Sequence, residues 1–108
     1  MNIERHFEPG FTIERSTLTP NGMGGHTEAW SAHLEISGTM DLLSGNKYEI
    51  AARFQGKATH IFICKAGYNI TDSDRLIYNS QIFRILFVDE PFKHHAEILL
   101  EWVGVDNG

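Results

Sequence analysis

From Trp30 to Leu42 the even positions read Trp30, Ala32, Leu34, Ile36, Gly38, Met40 and Leu42, and the odd positions read Ser31, His33, Glu35, Ser37, Thr39 and Asp41. A period of two held this long describes a β-strand with one face in a core and the other in water, and excludes an amphipathic helix. Gly38 interrupts the apolar row. An isolated glycine inside a strand marks a bulge or bend, and a strand longer than usual calls for one. Upstream, Phe11 to Leu18 alternates more weakly, with Phe11 and Ile13 inward and Thr12 and Glu14 outward. The two segments are joined by Thr19-Pro20-Asn21-Gly22-Met23-Gly24-Gly25, where several positions are free to take positive φ. Strand, glycine-rich turn and long bent strand predict a β-hairpin with a wide loop. The glycines lack the spacing of a phosphate-binding loop and precede a strand rather than a helix.

The remaining elements are shorter. Ser44 to Gly56 offers a capping serine and a terminating glycine, with Tyr48, Ala51, Ala52 and Gln55 at helical spacing, so one short helix is expected at roughly Asn46 to Phe54. Thr59 to Lys65, Arg75 to Tyr78, Gln81 to Val88 and Glu97 to Val105 are rich in β-formers. Asn79-Ser80 separates two of them by the two residues of a tight hairpin turn. The expected fold is mainly β: a small antiparallel β-barrel or closed sheet of about six strands, with one short helix in a long inter-strand segment. A length of 108 residues without internal repeats predicts a single domain over residues 1–108, with Asp106-Asn107-Gly108 frayed.

Composition narrows the function. Hydrophobic residues make up 42% of the chain, including seven Phe, three Tyr and two Trp, which suits a packed domain and excludes a disordered tail. Nine Lys and Arg against fourteen Asp and Glu leave a net charge of −5 with signs interspersed, so there is no basic stripe to grip nucleic acid. The same balance lets DNA slide past without adhering. Cys64 is the only cysteine; an internal disulfide is excluded, and its place in the run Ile61-Phe62-Ile63-Cys64 reads as a small buried hydrophobe. The start Met-Asn-Ile-Glu-Arg-His has no apolar signal region, and no apolar run reaches the ~20 residues of a membrane span. A soluble protein made in a cytoplasm is therefore expected, and Asn69-Ile70-Thr71 is a chance glycosylation match.

No motif points to catalysis, a metal or a cofactor. His94 and His95 are adjacent, and neighbouring residues of a regular strand face opposite ways; after Asp89-Glu90-Pro91-Phe92-Lys93 they read as part of a polar turn. His26, His33 and His60 stand singly, outside any metal-ligand spacing. Thr71-Asp72-Ser73-Asp74 lacks the glycine and distal glutamate of a calcium loop and reads as a loop with Asx-type turns. Ser, His and Asp occur, but none in a nucleophile setting.

Several segments in order do carry a resemblance. They are Gly22 to Gly25 before Thr27-Glu28-Ala29-Trp30, then Leu42-Leu43-Ser44-Gly45, then Thr59-His60-Ile61-Phe62-Ile63. The most specific is Ile70 to Ile85, in which Asp74-Arg75-Leu76-Ile77-Tyr78, a small turn and Phe83-Arg84-Ile85 follow one another; Ala96 to Glu101 closes the series. Over nearly its whole length the sequence resembles the head–tail joining, or head-closure, proteins of tailed bacteriophages and prophages. It departs from them at Lys47, where an acidic residue is common, and at Cys64-Lys65, where Arg often closes the third strand.

The resemblance implies a non-enzymatic subunit of a homo-oligomeric connector ring in the virion neck, made in the bacterial host cytoplasm. Its partners would be a portal-side adaptor, tail proteins and passing DNA, bound without sequence specificity, with no membrane and no cofactor. It also implies a plug segment pointing into the ring lumen, which by position is roughly Gly38 to Ala58 and includes Met40, Leu42, Leu43, Lys47, Tyr48, Glu49 and Arg53. The loop Asn21, Gly22, Met23, Gly24 and Gly25 is the expected inter-subunit or partner contact. The alternatives are another neck or tail-completion protein, or a non-viral small β-barrel that binds a ligand or peptide. A binding module predicts a monomer with a rigid apolar pocket. A connector predicts that Pro20–Gly25 and Gly38–Ala58 stay mobile until neighbours order them.

Overall fold

Strand alternation and tight turns produce one antiparallel sheet that closes on itself. The structure, a computed structural model, describes residues 7–42 and 58–106. Six strands cross these residues: β1 (Glu8–Pro20), β2 (His26–Leu42), β3 (His60–Lys65), β4 (Arg75–Tyr78), β5 (Gln81–Asp89) and β6 (His95–Val105). A 3-10 turn, Pro91–Lys93, precedes β6, and the expected helix at Asn46–Phe54 lies outside the described residues. Round the barrel the order is β1-β2-β3-β6-β5-β4. The closed sheet of about six strands expected from the sequence is therefore present.

Inward-facing residues of every strand meet in one core. Phe62 is fully buried, with Phe11 packed against it at 4.5 Å between ring centroids, and Leu76, Ile85, Ile98 and Leu100 fill the space around them. Burying each such side chain contributes roughly 1.5–3 kcal/mol, the main term holding the barrel together. Asn79 and Ser80 take φ of 51° and 60°, the pair of positive values that lets a two-residue turn follow the twist of β4 and β5.

The β1–β2 hairpin departs from the simple alternation. Its register shifts twice, once between Glu8 and Phe11 and once between Ile13 and Glu14. At the second shift Ile13 pairs with Leu34 but Glu14 pairs with Ala32, leaving His33 as the extra residue of a bulge. A one-residue bulge reverses the faces of everything beyond it. Trp30 and Ala32, expected in the core, therefore point outward, and the Trp30 ring lies over the Arg75 guanidinium at 4.3 Å. Leu42, the other end of the apolar row, is also exposed.

Gly38 stands opposite the register shift between Glu8 and Phe11, where Gly10 of β1 holds φ of 104°, and by pairing with Cys64 it opens a regular ladder to β3. A Cβ on Gly38 would stand 2.3 Å from Phe62 Cζ and 2.6 Å from the Ile63 carbonyl oxygen. The glycine is there because the Phe62 ring lies directly on the strand. Gly38→Ala forces that ring or the β2–β3 ladder apart, and should cost about 1–3 kcal/mol in urea unfolding, the usual scale of core overpacking.

From Ser16 to Pro20 and from His26 to Trp30 the two strands pair only with each other, since β1 meets β4 at Thr12–Glu14 and β2 meets β3 at Gly38–Leu42. This stretch is an arm beyond the barrel, and the molecule measures 53 Å along one axis against 29 and 28 Å across.

Candidate functional site

The arm leaves the barrel where β1 meets β4, and this seam gathers the charged chemistry of the fold. The ladder has three register pairs, Thr12–Ile77, Ile13–Leu76 and Glu14–Arg75. At one end Phe11 stacks on Tyr78 with centroids 4.1 Å apart. At the other, Arg15 follows Phe11 and Ile13 on the inward side, but there the core has ended and its partner is polar. Its Nε donates to Asp74 Oδ1 at 2.8 Å and its Nη2 to Asp74 Oδ2 at 2.9 Å, a two-pronged contact. Thr71 N–H donates to Asp74 Oδ2 at 2.9 Å, which ties the preceding loop to the same carboxylate. The Asn69 carbonyl accepts from Arg15 Nη2 at 3.1 Å, and the bulged His33 brings its Nε2 to 2.9 Å from the same oxygen. The loop read as Asx-type turns is thus held from within and its key carboxylate is already engaged.

Asp74 is 2% exposed and is the buried charged residue of the described chain. Burial alone would raise its pKa. The Arg15 hydrogen bond, the Thr71 N–H and the charges of Arg15 and His33 together outweigh that and hold the carboxyl below its ordinary value. The same hydrogen bond, against some desolvation, raises the Arg15 pKa. On the outer surface Arg75 Nε donates to Glu14 Oε1 at 2.7 Å. The register then carries a row across four strands: Glu14, Arg75, Arg84 and Glu101. Arg84 and Glu101 are 3.4 Å apart, and the Arg84 side chain is 59% exposed. Beside this row lies a groove of about 270 Å³, lined by Trp30, Arg75, Ile82, Arg84 and Val103 with the Asp72–Asp74 loop at one end.

Cys64 faces the core, and burial, helped by the charge of Glu90, pushes its thiol up to about 12. His60 lies edge-on to Phe83 at 5.1 Å, and burial lowers its pKa. His94 caps the 3-10 turn rather than lying in a regular strand. Its Nδ1 meets that of His95 at 2.9 Å, and His95 Nε2 meets Glu97 Oε2 at 2.8 Å. Among the described residues no three His, Cys, Asp or Glu side chains are grouped to hold a metal ion.

The residues singled out from the sequence fall into two places. Asn21 to Gly25 form the tip of the arm. There Asn21 Oδ1 accepts from Met23 N at 2.9 Å and Gly25 N at 3.2 Å, Asn21 N donates to Gly25 O, and Gly22 and Gly24 supply the positive φ. Met40 and Leu42 belong to β2, where they pair with Phe62 and His60; Met40 packs against the core. Leu43, Lys47, Tyr48, Glu49 and Arg53 lie outside the described residues. The structure brings none of the described ones to the seam. Arg15, Trp30 and Arg84 were not singled out, although Arg15 carried a signal: a charge on the inward parity of Phe11 and Ile13 demands a buried partner.

Residues 7–102 match the family of phage head completion proteins. The chain belongs to that family. Two solved structures share the fold. One is the solution structure of protein SF1141 from Shigella flexneri 2a, with a TM-score of 0.72 and 15% identity over 94% of this chain and 96% of that one. The other is a chain of the virion of the native gene transfer agent particle, with a TM-score of 0.60 and 19% identity over 93% and 98%. No curated protein sequence matches the chain. As a head completion protein it is a structural protein of the phage head and neck, associating with other virion components. Among its described residues no helix is long and apolar enough to cross a membrane.

The depressed Asp74 pKa sets the sign of a pH effect. The unfolded carboxyl, at about 3.9, binds a proton more readily than the folded one. Its contribution to stability is therefore complete above that pH and is lost as the pH falls through the lower folded-state value. In thermal unfolding followed from pH 6 to pH 2, the head completion protein should lose stability more steeply at the acid end than its Asp74→Asn variant. At neutral pH the variant should be the less stable of the two.

Proposed function

We propose that this head completion protein is the subunit of a homo-oligomeric ring in the virion neck, added below a portal-side adaptor once DNA is packaged. The ring closes the filled head and presents a face on which the tail docks. The observation that carries this reading is the match of residues 7–102 to head completion proteins. Two features of the chain support it. A hairpin arm standing clear of a closed barrel gives a subunit reach to its neighbours while the core stays intact. A net charge of −5 without a basic stripe suits a channel through which DNA passes without sequence-specific binding.

In this reading the subunit acts by assembly and not by catalysis, and is made in the host cytoplasm before it joins the virion. Residues 1–108 act as one domain. The segment from roughly Gly38 to Ala58, with Met40, Leu42, Leu43, Lys47, Tyr48, Glu49 and Arg53, faces the lumen and restrains the DNA end, while Asn21–Gly25 at the arm tip meets a neighbouring subunit or partner.

Deleting the gene from its parent phage or prophage and imaging the lysate by electron microscopy tests the proposal. Tailless heads that fill with DNA and then lose it, beside separately completed tails, are the expected outcome. Normal infectious particles would overturn it.

A further inference from the structure

Two patches on the molecule are complementary to each other. The first is a face of the arm. Because Trp30 pairs with Ser16 and lies outward over Arg75, the register puts Leu18 and its partner Glu28 on that same face, two residues further out. Leu18 is 61% exposed, and Met23 at the tip is 86% exposed. The opposite face of the arm, Thr17 with Ala29 and Thr19 with Thr27, is small and polar. The arm therefore presents an apolar group beside a carboxylate. The second patch is the groove beside the arginine row. It offers Ile82 and Val103, the latter 50% exposed, together with the guanidinium of Arg84. Arg84 touches Glu101 at 3.4 Å with its side chain still largely exposed, so it can receive a second carboxylate.

Resting on the ring reading above, we propose that the occupant of this groove is the arm of a second copy of the chain. Leu18 sits against Ile82 and Val103, and Glu28 pairs with Arg84. Donor and acceptor are different patches, so each contact leaves one of each free, and the series continues from copy to copy until it closes. Charge supports a specific local fit over general attraction. Copies of net charge −5 repel at a distance, whereas the exposed Arg84, the less tightly held of the two arginines in the row, attracts a carboxylate only within about 8–10 Å. Association is then weak in dilute solution and favoured where copies are already held side by side.

A charge exchange in the parent phage tests the pairing. E28R and R84E should each lower the yield of infectious particles by about tenfold or more, and the double variant E28R/R84E should restore most of that loss, as coupled partners do. A double variant no better than the worse single one overturns the proposal. A second measurement uses particles carrying Leu18→Cys and Val103→Cys in the same chain, oxidised and run without reductant; the native Cys64 is buried and stays silent. A ladder of dimers, trimers and higher multiples supports the contact. Uncrosslinked chain, dimers alone from a mutual two-fold exchange, or a product of mixed mass with another virion protein overturns it while the neck assignment stands. If the native chain is absent from purified particles, the ring reading itself falls, and this contact with it.

Discussion

The Asp74 carboxylate is taken out of water at the point where β4 reaches β1, and the two-pronged hold of Arg15 on it is the contact on which barrel closure leans. The ladder there is short, three register pairs, so main-chain hydrogen bonding alone secures the seam less well than it does the longer β1–β2 or β5–β6 ladders. The side chains make up the difference. Arg15 joins β1 to the loop before β4, Glu14 joins Arg75 across the ladder, and Phe11 stacks on Tyr78 at its far end. An ion pair with one partner buried is a poor source of net stability, because Asp74 has lost its water, but removing Arg15 strands that buried charge. Its effect is to specify which residues meet. With Asp74 seated on Arg15 and Thr71, the loop cannot slide and β4 cannot shift its register.

The same arrangement explains the shape of the groove. Arg75 lies next to Asp74 in sequence and therefore points the opposite way, outward, where the Trp30 ring covers it and Glu14 neutralises it. β4 continues through a two-residue turn into β5, which sets Arg84 directly across from Arg75. Two arginines side by side are tolerable because a glutamate stands at each end of the row. One short stretch, Asp74-Arg75, thus fixes an inward closure and an outward charge pattern together.

Much of the barrel was legible in the sequence because its rules are local. Alternation in Trp30–Leu42 located β2, Asn79-Ser80 located the tight turn, and Arg75–Tyr78 matched β4 residue for residue. Legibility failed where one residue changes the phase. The bulge at His33 turns Trp30 and Ala32 from core to surface, and nothing in their own pattern announces it, since the alternation runs unbroken through the site. The strand pattern marks Gly38 as an irregular position, but the Phe62 ring that excludes a side chain there comes from another strand and is visible only in the fold. The seam was hidden for a related reason: the inward parity of Arg15 calls for a partner, but Asp74 is 59 residues away and nothing local names it as that partner. The arm tip was legible from its glycines and Asn21, whereas the groove requires β2, β4, β5 and β6 to be assembled first.

The arm adds a division of labour that the rest of the barrel does not have. Its outer half pairs only with itself, so opening it breaks hydrogen bonds within the hairpin and leaves every core contact in place. Amide hydrogens there belong to a different cooperative unit from those of β3 and β6, with a much lower opening free energy. A protein built this way can fray, reorder and trade partners at its periphery during assembly without ever approaching global unfolding. The strength of the barrel and the adaptability of its contacts can accordingly change independently, each through its own residues.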